Sequence, residues 1–264
     1  MGCMSKPLGG WRVLVPRGGK WGDGIAATLR SYGAVPVIAP MINFASPPDG
    51  AALANVLHEL GDGRFDWLVV TSATTVDVLM GHRVRLPENT KVAAVGETTA
   101  AALTLAGYPV HFVPENDNSA RGLLKEWPAG VTGGRMIVPQ SDIAEPNLVA
   151  GLGALGFDVV FVSAYRTVGV PVAADIAEAV ATGEITAILV SSGSVARQIA
   201  EQLAPLPPGT VVACIGPCTV YDARAAGLTV DVIAEQRSAD SLVQALVEYA
   251  RPVTASIPVI RPNE

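Results

Sequence analysis

Two short stretches of the sequence place small polar residues directly after an apolar run. "VAAVGETT" spans residues 92–99 and "VACIGPCT" spans 212–219, so Gly96 and Gly216 lie 216 − 96 = 120 positions apart. A glycine lets the backbone come close to a ligand, and the first N–H groups of a following helix attract an anion. The pattern therefore predicts two similar turns that bind carboxylate or phosphate groups.

The same kind of residue follows most of the other apolar runs. Serine and threonine at these positions suit ligand binding, but they also cap helices, and for any single residue both interpretations stay open. The residues in question are Arg17, Gly18, Gly19, Thr71, Ser72, Thr74, Thr98, Thr99, Gln140, Ser141, Ser191, Ser192, Ser194, Cys218 and Thr219.

The sequence contains no complete motif for nucleotide binding or nucleophilic catalysis. "GDGIAA" (22–27) imitates a dinucleotide-binding turn, but it does not directly follow its strand and has no acidic partner about 20 residues on. There is no phosphate-binding G-x-x-x-x-G-K-[ST] motif and no G-x-S-x-G nucleophile elbow with partners. Glu97, in the first turn of a predicted helix, is better explained by the helix dipole than as a general acid.

Cysteine and histidine do not indicate a metal site. Cys3, Cys214 and Cys218 are too few for a disulfide framework, and no second ligand pair stands near the C-x3-C spacing of the last two. The three histidines are separated in sequence. We expect neither a metal nor a cofactor.

Short apolar runs alternate with helix-period segments along the whole chain. Because each run is almost wholly apolar, it is typical of a strand in a parallel sheet covered by helices on both faces. The ten predicted strands are "WRVLV" (11–15), "VPVIA" (35–39), "WLVVT" (67–71), "VAAV" (92–95), "VHFV" (110–113), "RMIVP" (135–139), "VVFV" (159–162), "AILVS" (187–191), "VVACI" (211–215) and "VDVI" (230–233).

The order of these segments repeats at long range. "WLVVTSATTVDVL" (67–79) matches "AILVSSGSVARQI" (187–199) at 187 − 67 = 120, and "GAVPVIAPMI" is echoed by "GFDVVFVSAY" at 156 − 33 = 123. Such a period is too long for a solenoid and predicts two similar α/β domains. With linkers at 40–50 and 163–172, the first piece is too small to fold alone. We therefore predict a discontinuous domain of residues 1–43 plus 168–250, a continuous domain of 46–165, and a loosely ordered tail at 251–264.

Composition narrows the class of protein. Half of the residues are hydrophobic and the formal net charge is −6, which disfavours a nucleic-acid-binding protein. No uncharged apolar stretch reaches the roughly 18 residues of a membrane helix, and the N-terminus lacks a signal-peptide core. We expect a cytoplasmic protein with no nucleic-acid or membrane partner.

Several stretches taken together resemble one known family. "LVPRGG", "GAVPVIAPMI", "FDWLVVTSATTV", "VAAVGETTAAALTLAGYPVHFVPE", "SARGLL", "AYRTV" and "VACIGPCTVYDARAAGLTVDVIAE" occur in the order and spacing of the uroporphyrinogen-III synthase family, from about Val13 to Tyr249. The resemblance implies two flavodoxin-like or Rossmann-like parallel-sheet domains joined by a two-stranded linker, with the active site between the domains. It also favours a monomer.

The resemblance further implies a reaction. Hydroxymethylbilane, a linear tetrapyrrole with eight carboxylates, loses its hydroxyl and closes to uroporphyrinogen III with the last pyrrole ring inverted. The same substrate closes spontaneously to the unflipped isomer, so the chemistry requires orientation more than a strong acid or base.

The family match also suggests roles for individual residues. Tyr165 is the candidate for assisting loss of the hydroxyl, although it could equally pack at the domain junction. The candidates for binding the substrate are Arg17, Lys20, Ser72, Gly96, Thr98, Ser192, Gly216, Cys218 and Thr219.

The sequence departs from the family pattern at three places. Gln140 stands where many relatives carry arginine, "SSGSV" lacks a usual proline, and Cys218 replaces a common threonine or serine. These departures keep an alternative open, a non-catalytic tetrapyrrole-binding or regulatory module derived from the same family.

Overall fold

The structure, a computed structural model, describes residues 6–251 of the 264-residue chain. Its contacts divide the chain into two compact units. The first joins the residues through Asn43 to those from Gly169 onward, and the second is Phe44–Val168. Cys3 and the predicted tail beyond Arg251 lie outside the described residues.

Strands and helices alternate along both units. Numbered in chain order, they are β1 (Arg12–Val15), α1 (Gly19–Ser31), β2 (Val35–Ile38), β3 (Ile42–Ala45), α2 (Gly50–Gly61), β4 (Trp67–Val70), α3 (Ala73–Gly81), β5 (Lys91–Ala94), α4 (Glu97–Leu105), α5 (Ala120–Lys125), β6 (Arg135–Ser141), α6 (Asn147–Ala154), β7 (Asp158–Gly169), α7 (Ala174–Ala181), β8 (Ala187–Val190), α8 (Gly193–Leu203), β9 (Val211–Cys214), α9 (Pro217–Ala225), β10 (Val232–Ile233) and α10 (Ala239–Ala250).

The sheet of the first unit has the strand order β10-β9-β8-β1-β2, with parallel pairing throughout. Successive residues of each strand point to opposite faces. Val13 and Val15 of β1 pack in the core cluster that contains α1 and α10, whereas Leu14 packs in the cluster that contains α7, α8 and α9. Helices on both faces explain why these strands are apolar at almost every position, with Arg12 at the start of β1 as an exception.

The sheet of the second unit has the order β3-β7-β6-β4-β5 and parallel pairing from β7 to β5. Helices α2, α3 and α4 contribute to the core on one face, and α5 and α6 contribute to the core on the other. The predicted fold class, two similar α/β parallel-sheet domains, is therefore confirmed. No helix within residues 6–251 is both long and apolar enough to span a membrane.

Nine of the ten predicted strands form, and the tenth fails for a local reason. "VHFV" contributes only an isolated bridge between Ala93 and Phe112. The His111 imidazole accepts a hydrogen bond from the Val92 N–H at 3.0 Å, so a side chain takes a backbone position in the ladder. Asp231 does the same to the Val212 N–H at 2.8 Å, and β10 is correspondingly only two residues long.

The predicted linker at 40–50 is not wholly irregular. Residues 42–45 form β3, which lies beside β7 in the sheet order. Strand β7 runs from Asp158 to Gly169, 12 residues in total, and so extends well beyond the predicted "VVFV". The sequence missed β3 because only two of its four residues are large and apolar.

Candidate functional site

Each sheet has a point at which neighbouring strands send their helices to opposite faces. In the first unit these strands are β1 and β8, which precede α1 and α8; in the second they are β6 and β4, which precede α6 and α3. Ligands of open parallel sheets bind outside the carboxyl ends of the strands at such switch points. The nine predicted binding residues all follow strand ends. Four of them follow the switch-point strands, namely Arg17, Lys20, Ser72 and Ser192, and the other five follow β5 or β9.

The end of β1 carries two cationic candidates. The Arg17 guanidinium lies 5.3 Å from the centroid of the Trp21 ring, and Lys20 is exposed in the first turn of α1. The N-cap of α1 is Gly18, and no side chain caps this helix. Positive charge and main-chain N–H groups thus occur together at this edge, as an anion site requires.

The start of α9 is also without a side-chain cap. Its N-cap, Gly216, is followed by Pro217, which has no N–H, so Cys218 and Thr219 provide the first amides of the helix. Cys218 is exposed, whereas Thr219 is buried. Gly216 has φ 171°, an extended conformation that other residues adopt as well.

An open groove of about 560 Å³ lies beside this turn of α9. It is lined by Pro217, Val220, Tyr221, Arg224, Ala225 and Ile233. Tyr221 is 77% exposed, which is unusual for a large aromatic side chain. The groove thus runs along α9, with apolar surface from its first turn onward and the cationic Arg224 in its last turn.

In the second unit, α4 begins at Gly96, again with no side-chain cap. Gly96 has φ 84° and ψ 150°, a conformation that essentially only glycine adopts without strain. Thr98 is exposed in the first turn, and Thr99 is buried. Glu97 lies in the same turn, as the helix dipole favours.

Ser72 and Ser192 cap their helices. The Ser72 hydroxyl accepts a hydrogen bond from the Thr74 N–H at 3.1 Å, and the Ser192 hydroxyl accepts one from the Val195 N–H at 3.3 Å. Capping therefore accounts for the presence of serine at both positions. A contact with substrate stays a prediction for these two residues.

Tyr165 belongs to the hydrophobic core of the second unit. It is 8% exposed and packs in the cluster that contains Phe65 and Leu68. Its ring meets Phe44 edge to face, with centroids 5.2 Å apart. These contacts fix the position of the ring in β7, and the role of its hydroxyl in catalysis stays a prediction.

Two residues outside the predicted ligand set carry unpaired polar atoms at the strand ends. Gln140 Oε1 and Ser191 Oγ are buried, and neither has a hydrogen-bond partner. The sequence marks both as strand-end residues, but no signal in it shows that they are buried and unpaired.

The two described cysteines differ in reactivity. Burial raises the pKa of the Cys214 thiol to about 12, with the Arg224 charge acting weakly in the opposite direction. Cys214 is thus a core residue of β9, while Cys218 is exposed. Within residues 6–251, no three His, Cys, Asp or Glu side chains are grouped as metal ligands would be.

The chain matches a protein-family model described as uroporphyrinogen-III synthase HemD over residues 23–244. It is 26% identical over 265 aligned positions to the uroporphyrinogen-III synthase of Synechococcus elongatus, covering 95% of this chain and 99% of that protein. It is 25% identical to the porphyrin biosynthesis protein HemD of Ruminiclostridium josui, covering 93% of this chain but 50% of that longer protein.

Solved structures share the fold. The uroporphyrinogen III synthase of Thermus thermophilus, in a mutant form, superposes with a TM-score of 0.64 at 20% identity, over 91% of this chain and 98% of that one. The uroporphyrinogen-III synthetase of Helicobacter pylori gives a TM-score of 0.60 at 15% identity, over 90% of this chain and 99% of that one.

Proposed function

The chain belongs to the uroporphyrinogen-III synthase family, and we propose that it catalyses the reaction for which the family is named. Hydroxymethylbilane loses its hydroxyl group, the last pyrrole ring is inverted, and the macrocycle closes to uroporphyrinogen III. This makes the protein a cyclising hydro-lyase of tetrapyrrole biosynthesis. The observation that carries the proposal is the family match over residues 23–244.

The strand ends support this reaction because they suit a polyanion. Three helices, α1, α4 and α9, begin at a glycine without a side-chain cap. A helix N-terminus attracts negative charge through its N–H groups and its dipole. We propose that carboxylates of the substrate bind at these turns, with Gly96, Thr98, Gly216, Cys218 and Thr219 supplying the amides and side-chain groups.

The cations of the first unit extend the same argument. Arg17 and Lys20 lie at the start of α1, where they add charge to the helix dipole. An arginine can bind a carboxylate through two parallel hydrogen bonds, whereas a lysine acts as a compact point charge. We propose that these two side chains bind substrate carboxylates, with Ser192 contributing at the end of β8, beside β1, and Ser72 contributing at the end of β4 in the second unit.

The step that releases the hydroxyl group needs modest help, and we assign it to Tyr165. A phenol can donate a hydrogen bond to the departing oxygen, and it is neutral at physiological pH. The edge-to-face contact with Phe44 and the packing of β7 hold the ring in one place. Position matters more than acidity here, because the unassisted reaction proceeds by itself.

The proposal includes a cytoplasmic monomer that needs no metal or cofactor. Ionisation and cyclisation of hydroxymethylbilane involve no change of oxidation state, so no redox group is required. Sedimentation of the purified chain tests the oligomeric state, and an activity assay with and without chelator tests the metal requirement. A dimer, or activity lost with chelator, would contradict them.

The proposed function is tested by identifying the product isomer. Purified chain is mixed with hydroxymethylbilane, and the products are oxidised to porphyrins and separated by chromatography. We expect the type III isomer to predominate, and we expect only the type I isomer with heat-denatured chain. Type I alone at the spontaneous rate would support the non-catalytic binding module instead.

A further inference from the structure

Two side-chain atoms stand out among the described residues because they are buried and have no hydrogen-bond partner. They are Oε1 of Gln140 and Oγ of Ser191. Gln140 is 7% exposed and Ser191 is 9% exposed. Buried polar atoms are almost always paired in folded proteins, so each exception calls for a specific explanation.

Both atoms lie at the switch points of the two sheets. Gln140 is at the end of β6, beside β4, and Ser191 follows β8, beside β1. Through the sequence repeat, Ser191 corresponds to Thr71, the hydrogen-bond partner of Gln140, since 191 − 71 = 120. Within residues 6–251, both buried side-chain atoms without a partner thus lie where parallel sheets bind ligands.

Of the two polar atoms of the Gln140 side chain, the nitrogen has a hydrogen-bond partner and the oxygen has none. Its Nε2 donates a hydrogen bond to Thr71 Oγ1 at 3.4 Å, which ties the end of β6 to the end of β4. The Thr75 hydroxyl donates to the Pro139 carbonyl at 3.3 Å and fixes the preceding residue. The pairing of β6 with β7 becomes irregular between Gln140 and Ser141, and such irregularities in strand pairing often occur next to active sites.

The unpaired atom is an acceptor, and this selects the group that can satisfy it. Ionised carboxylates have no hydrogen to donate, so the acidic side chains of a tetrapyrrole cannot pair with Oε1. The donors of the linear tetrapyrrole are its pyrrole N–H groups and its one hydroxyl group, and only the N–H groups remain after ring closure. Arg17 occupies the matching position of the first unit, 140 − 17 = 123 residues earlier, where a guanidinium suits a carboxylate instead.

We propose that Gln140 contacts the substrate directly, with its Oε1 accepting a hydrogen bond from a pyrrole N–H of the linear tetrapyrrole. This inference rests on the proposed function. The contact fixes the plane of one ring, and therefore the face from which the macrocycle closes. Because Oε1 is covered in the unliganded chain, the side chains around it must shift when substrate binds.

The inference predicts opposite changes in stability and in activity for Gln140→Met. Methionine has nearly the same length and no polar atom to leave unpaired, and the bond to half-buried Thr71 that it removes is long, at 3.4 Å. The melting temperature should therefore equal or exceed that of the wild type. The value of kcat/KM should fall about 3- to 10-fold, as expected for one lost hydrogen bond, and the share of type I isomer should rise. A purely structural amide would lower stability and activity together.

Gln202→Met is the matched control. The Gln202 amide is fully used, since it accepts from the Val172 N–H at 2.8 Å and donates to the Val170 carbonyl at 3.0 Å. This variant should melt at a lower temperature, while its kcat/KM and isomer ratio stay at the wild-type values at a temperature where it is folded.

The proposed hydrogen bond to Gln140 can be detected directly by NMR of the complex with product. With ¹⁵N-labelled substrate, one of the four pyrrole N–H resonances of bound product should lie further downfield with wild-type chain than with Gln140→Met. Identical resonances in the two complexes, or a Gln140→Met chain with unchanged kcat/KM, would overturn the inference while leaving the proposed function intact. Wild-type chain that makes only type I isomer would instead overturn the proposed function.

Discussion

Cys214 and Cys218 lie close together in the sequence, but Cys214 is buried and Cys218 is exposed. Burial raises the pKa of Cys214 to about 12, so its thiol stays protonated and unreactive at neutral pH. Cys218 is exposed in the first turn of α9. We expect iodoacetamide to label Cys218 and not Cys214 in the folded chain, as measured by mass spectrometry of the separated peptides.

The proposed site adds a second expectation to the same experiment. If substrate carboxylates bind at the start of α9, bound uroporphyrinogen III should slow the labelling of Cys218. An equal labelling rate with and without saturating product would remove Cys218 from the site.

Tyr165 and Tyr108 provide a matched pair of buried tyrosines in one core cluster. We expect Tyr165→Phe to lower kcat by at least about 10-fold, because the departing hydroxyl group loses its hydrogen-bond donor. The Tyr108 hydroxyl donates to the Val84 carbonyl at 2.8 Å, so Tyr108→Phe should reduce stability without changing kcat. Equal kcat values in the two variants would show that Tyr165 has only a packing role.

At the scale of single residues, the sequence predicted which residues lie at strand ends better than it predicted their burial and hydrogen bonds. Apolar runs of four or five residues located the strand ends, and therefore Arg17, Gly96 and Gly216, correctly. They could not show that Ser72 caps its helix or that Gln140 Oε1 is unpaired. The environment of Gln140 depends on which strands become neighbours, and the local hydrophobic pattern does not determine strand order. The Ser72 cap is a local hydrogen bond from the Thr74 N–H, which a pattern of apolar residues does not show.

Two of the helices with a glycine N-cap, α4 and α9, differ in the backbone conformation that the glycine adopts. Gly96 has φ 84° and ψ 150°, so Gly96→Ala should destabilise the fold by about 1–3 kcal/mol. Gly216 has φ 171°, and an added Cβ would meet only Arg237 Cγ, at 3.8 Å. Gly216→Ala should therefore change stability by less than about 0.5 kcal/mol.

Urea denaturation of the two variants at neutral pH measures this difference. The prediction fails if Gly216→Ala is as unstable as Gly96→Ala, since the repeat would then impose the same conformation on both turns.

The side chain of Glu126, directly after α5, forms hydrogen bonds with the loop that precedes this helix. Glu126 accepts hydrogen bonds from the backbone N–H groups of Glu115, at 2.7 Å, and Asn116, and these bonds lower its pKa. A lowered native pKa stabilises the fold above the unfolded-state pKa, about 4.3, and the stabilisation is lost as pH falls through the native value.

Glu126→Gln should therefore lose less stability than the wild type between pH 5 and pH 3, because it has no carboxylate to protonate. Urea midpoints measured across this range test the prediction. Parallel pH curves for the two proteins would contradict it.

At the scale of elements, the composition of a segment predicted whether it is a strand, but it did not predict how long the strand is. "VHFV" reads as a strand, yet His111 places an imidazole on the Val92 N–H and reduces the pairing to a single bridge. Conversely, β3 and the extension of β7 lie in segments whose mixed polarity predicts linkers. Side-chain substitution for backbone hydrogen bonds cannot be seen in a hydrophobic pattern.

The whole chain carries one feature that the sequence alone made clear, a duplicated α/β plan with an offset near 120 residues. The corresponding sheets have the same strand order when β6, β7, β4 and β5 are set against β1, β2, β8 and β9. Duplication did not preserve chemistry, since Arg17 in one half corresponds to Gln140 in the other.

The central claim is that this chain directs how a linear tetrapyrrole closes. The most direct test is a single turnover with chain in excess over hydroxymethylbilane, stopped at intervals and resolved into type I and type III isomers. The account predicts almost entirely type III, formed faster than the spontaneous reaction. A type I product that accumulates at the same rate with and without the chain would contradict it.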